Sequence, residues 1–151
     1  MNSVEPMKTP GSKNQPSSGS FPFRRKEGVD LEFKEATHAL PKNLFETICA
    51  FLNMDGGLVV LGVADDGTVT GVAPEVVERL TAEVASMSNN PSKLDPPNLL
   101  SPQAEEINGK WVIKIQVLPS SQVHQTGGHV YLRSRDGDYR ISGLNRILTI
   151  P

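Results

Sequence analysis

The 151-residue sequence predicts an α+β fold, a mixed β-sheet of about six to seven strands with two main helices packed on it. Three observations lead there. Short apolar runs, either alternating with period two or continuous and β-branched, recur along the chain as strands require. Two longer segments carry their apolar residues at helical spacing. Asp-Gly and Asn-Gly pairs separate several of the runs, which is the chemistry of tight hairpin turns.

Residues 1–21 are rich in Ser, Pro, Gly, Asn and Lys. They offer too little apolar area to offset the entropy of ordering and read as a disordered tail. Residues 22–151 read as one domain, entered through Pro22-Phe23-Arg24-Arg25-Lys26. The first strand covers 29–35, where Val29, Leu31 and Phe33 alternate with Asp30, Glu32 and Lys34; its apolar face should turn inward and its charged face outward. Pro41 opens a helix to about residue 53, with Leu44, Phe45, Ile48, Phe51 and Leu52 on one side. Gly56-Gly57 ends it, because consecutive glycines supply the positive φ of a helix stop and turn.

The run LVVLGV, 58–63, has the continuous apolar character of a central strand covered on both faces. Asp65-Asp66-Gly67 should turn it into a hairpin partner, TVTGV, at 68–72. Pro74 starts the second helix, to about 87, with Val76, Val77, Leu80, Val84 and Met87 on one side. After a polar loop, the AEEI segment and KWVIKIQVL, 110–118, should pair across Asn108-Gly109. A second polar loop leads to 129–135 and 138–142, expected to pair across Asp136-Gly137. Ser142 stands where it can cap a last helix using Leu144, Ile147 and Leu148.

Hydrophobic residues make up 37% of the chain and aromatics 5%. A domain of roughly 125 ordered residues still buries about two-thirds of its surface, enough to fold unaided. No apolar run approaches the ~18 residues of a membrane helix, and the N-terminus carries no secretory hydrophobic region. One cysteine leaves no internal disulfide and no zinc cluster. These features point to a cytoplasmic protein with no membrane partner. Cys49 falls within the first helical pattern and reads as a core residue, since none of the three histidines stands at a recognisable spacing from it to act as its base.

Net charge is −2, unevenly spread. Residues 1–26 hold five Lys/Arg and one Glu, residues 27–109 four Lys/Arg and fourteen Asp/Glu, and residues 110–151 six Lys/Arg and two Asp. A uniformly basic nucleic-acid binder is excluded; basic flanks around an acidic centre are compatible with one.

The glycine-lysine phosphate loop, the dinucleotide fingerprint, the serine-hydrolase elbow and zinc-ligand spacing are all missing. What remains is carboxylate chemistry. Glu27, Asp30 and Glu32 lie at the first strand, and Asp65 and Asp66 follow the central one. Carboxylates at neighbouring strand ends repel one another unless a cation sits between them, and hard oxygen ligands suit Mg²⁺ or Mn²⁺. Lys34, on the same strand, is placed to hold a phosphate. The same residues read equally as a turn and a solvated face. On the last hairpin Arg133, Arg135 and Arg140 alternate with Tyr131 and Tyr139, a pattern suited to phosphate contact and base stacking, or to guarding an exposed sheet edge with charge. His124 and His129 read as plain loop residues.

The succession of LEFKEA, a helix ending AFLNMDGG, LVVLGVADDGTVTGV, VLPSSQVH and VYLRSRDGDYR resembles the Schlafen/AlbA-like domain, also labelled a divergent AAA domain in bacterial regulators, over about residues 22–146. The resemblance implies an α+β nucleic-acid-binding module, DNA or RNA, with Arg24, Arg25, Lys26, Lys34, Arg133, Arg135 and Arg140 on phosphates. Bacterial members usually place it at the head of a longer chain with a winged-helix region and are described as DNA-binding or transcriptional regulators. Eukaryotic Schlafens imply an alternative, an Mg²⁺- or Mn²⁺-dependent endoribonuclease that cleaves structured RNA such as transfer RNA. Its three acids would be Glu27 and Glu32, five residues apart, and Asp65, three after Gly62. Ala64 and Met54 depart from the family's commoner residues without removing a proposed ligand. Those nucleases close a ring from two tandem copies, so under this alternative a single copy would need to form a homodimer to build an equivalent groove. An ATP-binding role, suggested by the older family label, lacks a phosphate loop.

Overall fold

The computed structural model describes residues 28–135 and 137–141. The tail, the Arg24-Arg25-Lys26 run, Glu27, Asp136 and the helix expected from Ser142 lie outside these residues. The described chain runs β1 (Leu31–Lys34), α1 (Leu44–Asn53), β2 (Gly57–Leu61), a single 3₁₀ turn (Pro74–Val76), α2 (Val77–Ser88), β3 (Gln103–Ile107), β4 (Lys110–Val117), β5 (Val130–Ser134) and β6 (Gly137–Ile141).

Four strands form one mixed sheet in the order β1-β2-β4-β3. β1 and β2 are parallel, with α1 as the crossover between them, and the other pairs are antiparallel. Asn108 and Gly109 both take positive φ, 51° and 81°, which closes the β3–β4 hairpin in two residues as Asn-Gly should. β5 and β6 form a separate two-stranded sheet laid along α1. Among the described residues, the two main helices and six strands form the α+β class that the sequence predicts.

β2 is the centre of the domain. Val59 and Leu61 face the two helices, within a cluster that includes Leu44, Ile48, Phe51, Leu80 and Val84. Val60 faces the other side with Leu31, Phe33, Val63, Val69 and Val112. Burial on both faces explains the continuous apolar run.

Three local expectations are corrected. TVTGV is not a strand: it touches its neighbours only at isolated bridges, Val63–Val69 and Val72–Trp111. Gly62 and Gly71 take φ of 98° and 87°, and the amides of Thr70 and Gly71 both donate to the Gly62 carbonyl at 2.9 Å, so the ladder breaks into a curl. The last hairpin pairs Ser134 with Gly137, so its two connecting residues are 135 and 136, one earlier than expected. Finally, the charged side of β1 does not face outward. Glu32 and Lys34 pair with Val59 and Leu61, which belong to the helical face, and Lys34 is buried.

Candidate functional site

The burial of the charged side of β1 creates a cleft of about 530 Å³, lined by Gly28, Glu32, Lys34, Asn43, Glu46, Asp65, Arg133, Arg135, Gly137 and Asp138. Each wall follows from local structure. Just before β1, the chain folds back through Gly28, whose amide donates to the Leu31 carbonyl at 2.9 Å. After β2, the amides of Gly62 and Val63 still bond the Lys34 carbonyl, at 2.7 and 3.3 Å. That carries Ala64 and the following turn past the end of β1 and brings Asp65 to the cleft that Lys34 also lines. Asp66 holds the turn itself, its carboxylate accepting the Thr68 amide at 2.9 Å, which lowers its pKa.

The floor of the cleft is an ionic network centred on Arg133, whose side chain is 3% exposed. Its Nη2 donates to Glu32 Oε1 at 2.7 Å and to the Gly28 carbonyl at 2.6 Å, and its Nη1 donates to Asp138 Oδ1 at 2.9 Å. The guanidinium also lies over the Phe51 ring, 5.0 Å from its centroid. Thr47 Oγ1 donates to the other Asp138 oxygen at 2.6 Å. Burial opposes the charged guanidinium, but the bonds to Asp138 and Glu32 outweigh it and raise its pKa above the ordinary value. On the open side of Glu32, Lys34 Nζ stands 3.6 Å from Oε2 and donates to Asn43 Oδ1 at 3.1 Å.

Glu32, Lys34, Asp65, Arg133 and Arg135 therefore share one cleft. Arg135 is exposed at its mouth, and Arg140 is exposed further along the same hairpin, where its Nη1 meets His129 Nε2 at 3.4 Å. Arg24, Arg25, Lys26 and Glu27 lie outside the described residues. Among the described residues no group of three His, Cys, Asp or Glu is arranged to hold a metal ion. Both Glu32 oxygens face cations already, Arg133 and Lys34. The donor set that is described does not by itself fit Mg²⁺ or Mn²⁺, which take several oxygen ligands.

The sequence reading did not single out Asn43, Glu46, Thr47 or Asp138. Asp138 was within reach of it: Arg133 and Asp138 are directly opposed across β5–β6, and opposite charges at such positions attract. A turn placed one residue later sets Arg135 opposite Asp138 instead. Asn43 gave no signal beyond its place ahead of a helix, because its partner is nine residues away on another element.

The remaining polar groups of α1 have structural work. Asn53 donates from Nδ2 to the carbonyls of His124 and Tyr131, both at 2.9 Å, and accepts the His124 amide at 2.7 Å. It thereby pins the 118–129 loop and β5 to the helix. His124 is fully buried, with Nδ1 donating to the Pro96 carbonyl and Nε2 against Ser120 Oγ, both at 2.7 Å. Cys49 is buried as expected, and burial pushes its thiol up to about 11. The thiolate is the reactive form, so a thiol-exchange reagent at pH 8 should modify native Cys49 at least about a hundredfold more slowly than the urea-unfolded chain. Equal rates would mean that the helix opens readily at this point.

A sequence profile described as Schlafen, AlbA_2 matches residues 27–142. Among solved structures, the DIP2311 protein from Corynebacterium diphtheriae matches with a TM-score of 0.61 at 15% identity, over 91% of this chain and 29% of that one. That likeness is one of fold, and the chain spans well under two-thirds of the other's length. The N-terminal domain of a RecG-related protein from Nitrosomonas europaea, named for its relation to an ATP-dependent DNA helicase, matches with a TM-score of 0.52 at 26% identity, over 79% of this chain and 82% of that one. No curated protein matches the chain. No helix among the described residues is long and apolar enough to cross a membrane.

Proposed function

The chain belongs to the Schlafen, AlbA_2 family, and we propose that it is a nucleic-acid-binding domain, with a regulatory role, that grips the phosphate backbone of DNA or RNA at the β1–β5–β6 cleft. One observation carries this reading: Lys34 stands at the base of a polar cleft with exposed Arg135 at its mouth and exposed Arg140 on the same hairpin. Exposed Tyr139 lies between the two arginines in sequence and offers a stacking surface. Arg133 acts from beneath, engaging one oxygen of Glu32 and one of Asp138. Arg24, Arg25 and Lys26 supply further phosphate contacts from the segment ahead of the cleft. The helicase-related name of one structural neighbour supports nucleic acid as the ligand class.

Fluorescence anisotropy with a labelled oligonucleotide at two salt concentrations tests this. Phosphate-driven affinity falls steeply as salt rises. Arg135→Ala and Arg140→Ala should each weaken binding across sequences and reduce the salt slope by about 1. An affinity indifferent to salt, or no binding at low salt, removes the reading.

A second reading, the metal-dependent endoribonuclease of Schlafen type, is favoured by Glu32 and Asp65 lining one cleft with Lys34. It requires Glu27 as a third acid, Mg²⁺ or Mn²⁺, and a homodimer to complete a groove for structured RNA. Glu32→Gln and Asp65→Asn should each abolish cleavage of a transfer RNA in Mn²⁺, and light scattering should report a dimer. Cleavage that survives both substitutions rejects the nuclease.

A further inference from the structure

We infer that a second cavity, adjoining the phosphate cleft, is a pocket for one unpaired nucleobase, so that the domain prefers single-stranded or looped nucleic acid to duplex. The inference rests on the nucleic-acid-binding reading. The cavity, of about 490 Å³, has a floor made by Leu40, Leu44, Phe45 and Met87. Lys42, Ser92, Lys93 and Gly127 stand at its edge. It belongs to none of the residues that form the first cleft, yet it borders it: Lys42 and Leu44 line the second cavity, while Asn43 between them lines the first. The start of α1 is the partition.

Three features suit this site to a base carried on a strand. The floor is aliphatic and aromatic, so it rewards burial of a flat apolar face, while hydroxyl and backbone groups at the edge can meet a base's polar rim. Lys42 and Lys93 are exposed on separate segments, and neither forms an ion pair among the described residues. Glu83, an acid in the lining, is already held by Arg79 at 3.0 Å. The electrostatic balance at the edge therefore favours phosphates on either side of the base. The walls are also preformed. The 89–98 and 118–129 loops are zipped together by reciprocal Asp95–Gln125 backbone bonds of 2.9 and 2.8 Å and by Thr126 Oγ1 donating to the Lys93 carbonyl at 2.6 Å. A preformed pocket loses little entropy on binding. In a duplex the base is stacked and paired, and entering the pocket would first require extruding it.

Anisotropy with three ligands, on a Tyr139→Ala background that removes the other stacking surface, tests the inference: a single strand, the same strand carrying abasic sites, and the duplex. The base-bearing single strand should bind about tenfold more tightly than either of the others. Ala39→Leu, which narrows the mouth from the segment ahead of α1 without adding a stacking ring, should bring that strand down to the abasic level and leave abasic affinity unchanged. Ala39→Met, unbranched and more easily accommodated, blocks the same mouth and serves if the first variant fails to fold. Equal binding of abasic and base-bearing strands overturns the pocket while phosphate binding stands, as does an advantage that persists in a folded, blocked variant. No binding of any ligand at low salt overturns the nucleic-acid reading and this inference with it.

Discussion

Replacing Arg133 with Met should destabilise the domain by about 3 kcal/mol, read as a lower urea midpoint at unchanged slope. The methionine fills similar space over Phe51, so the loss reports charge rather than a cavity. Two carboxylates, Glu32 and Asp138, lose their shared partner while remaining 20% and 14% exposed. Removing one partner of a buried pair costs roughly 3–5 kcal/mol because the other charge is left uncompensated, and partial solvent access here sets the expectation at the low end. The Gly28 carbonyl also loses a 2.6 Å donor. Arg133→Lys should recover only part of the loss, since an ammonium cannot reproduce a planar fork that reaches both carboxylates. The double variant Arg133→Met, Asp138→Asn should recover part of the loss, because Asp138 no longer carries an uncompensated charge while Glu32 keeps Lys34. A urea midpoint for Arg133→Met equal to wild type would remove the network from the list of what holds the cleft together.

Gly56→Ala should be of similar severity, with a loss of about 2–5 kcal/mol. Gly56 takes φ of 81°, which costs an L-residue roughly 1–2 kcal/mol. A Cβ there would also stand 2.6 Å from the Val117 carbonyl oxygen and 2.9 Å from Pro119 Cδ, and the overpacking adds roughly 1–3 kcal/mol. The obstruction is backbone at the end of β4, where Gly57 pairs with Val117, so relief would have to come from the sheet itself. Gly67→Ala is the control. Its φ is 92° but a Cβ meets nothing within 4 Å, so only the conformational cost of about 1–2 kcal/mol applies. If the two variants lose equal stability, the close approach at Gly56 does not matter.

The double glycine thus has two separate physical causes. Gly56 is needed for its φ and for backbone contact, whereas a Cβ on Gly57 would strike the Phe51 ring at 2.7 Å. Phe51 in turn lies under Arg133. The sequence alone identifies the pair as a helix stop. That it also sets the height of the ring beneath the ionic network follows only from packing.

Legibility falls off with distance along the chain. Both helices, the central strand and the Asn108-Gly109 hairpin follow from periodicity and turn chemistry, which are local. The TVTGV arm fails as a strand because two glycines curl the chain, a backbone matter that an apolar alternation does not register. The β5–β6 register differs by a single residue, and that step decides which arginine meets Asp138.

By itself the sequence determines the α+β class, the burial of β2 on both faces, the burial of Cys49 and the clustering of acids and bases near β1 and β5. These depend on residue type and near-neighbour spacing. The tertiary structure alone decides that the charged side of β1 faces the helices, because β1 and β2 are parallel and the side that carries Val59 and Leu61 must receive α1. Glu32 and Lys34 are drawn under that cover with them; Lys34 meets Glu32 and Asn43 there, and Arg133, 101 positions away from Glu32, supplies the second cation that Glu32 faces. No local pattern encodes a partner at that distance; the closing of β5 and β6 over α1 supplies it.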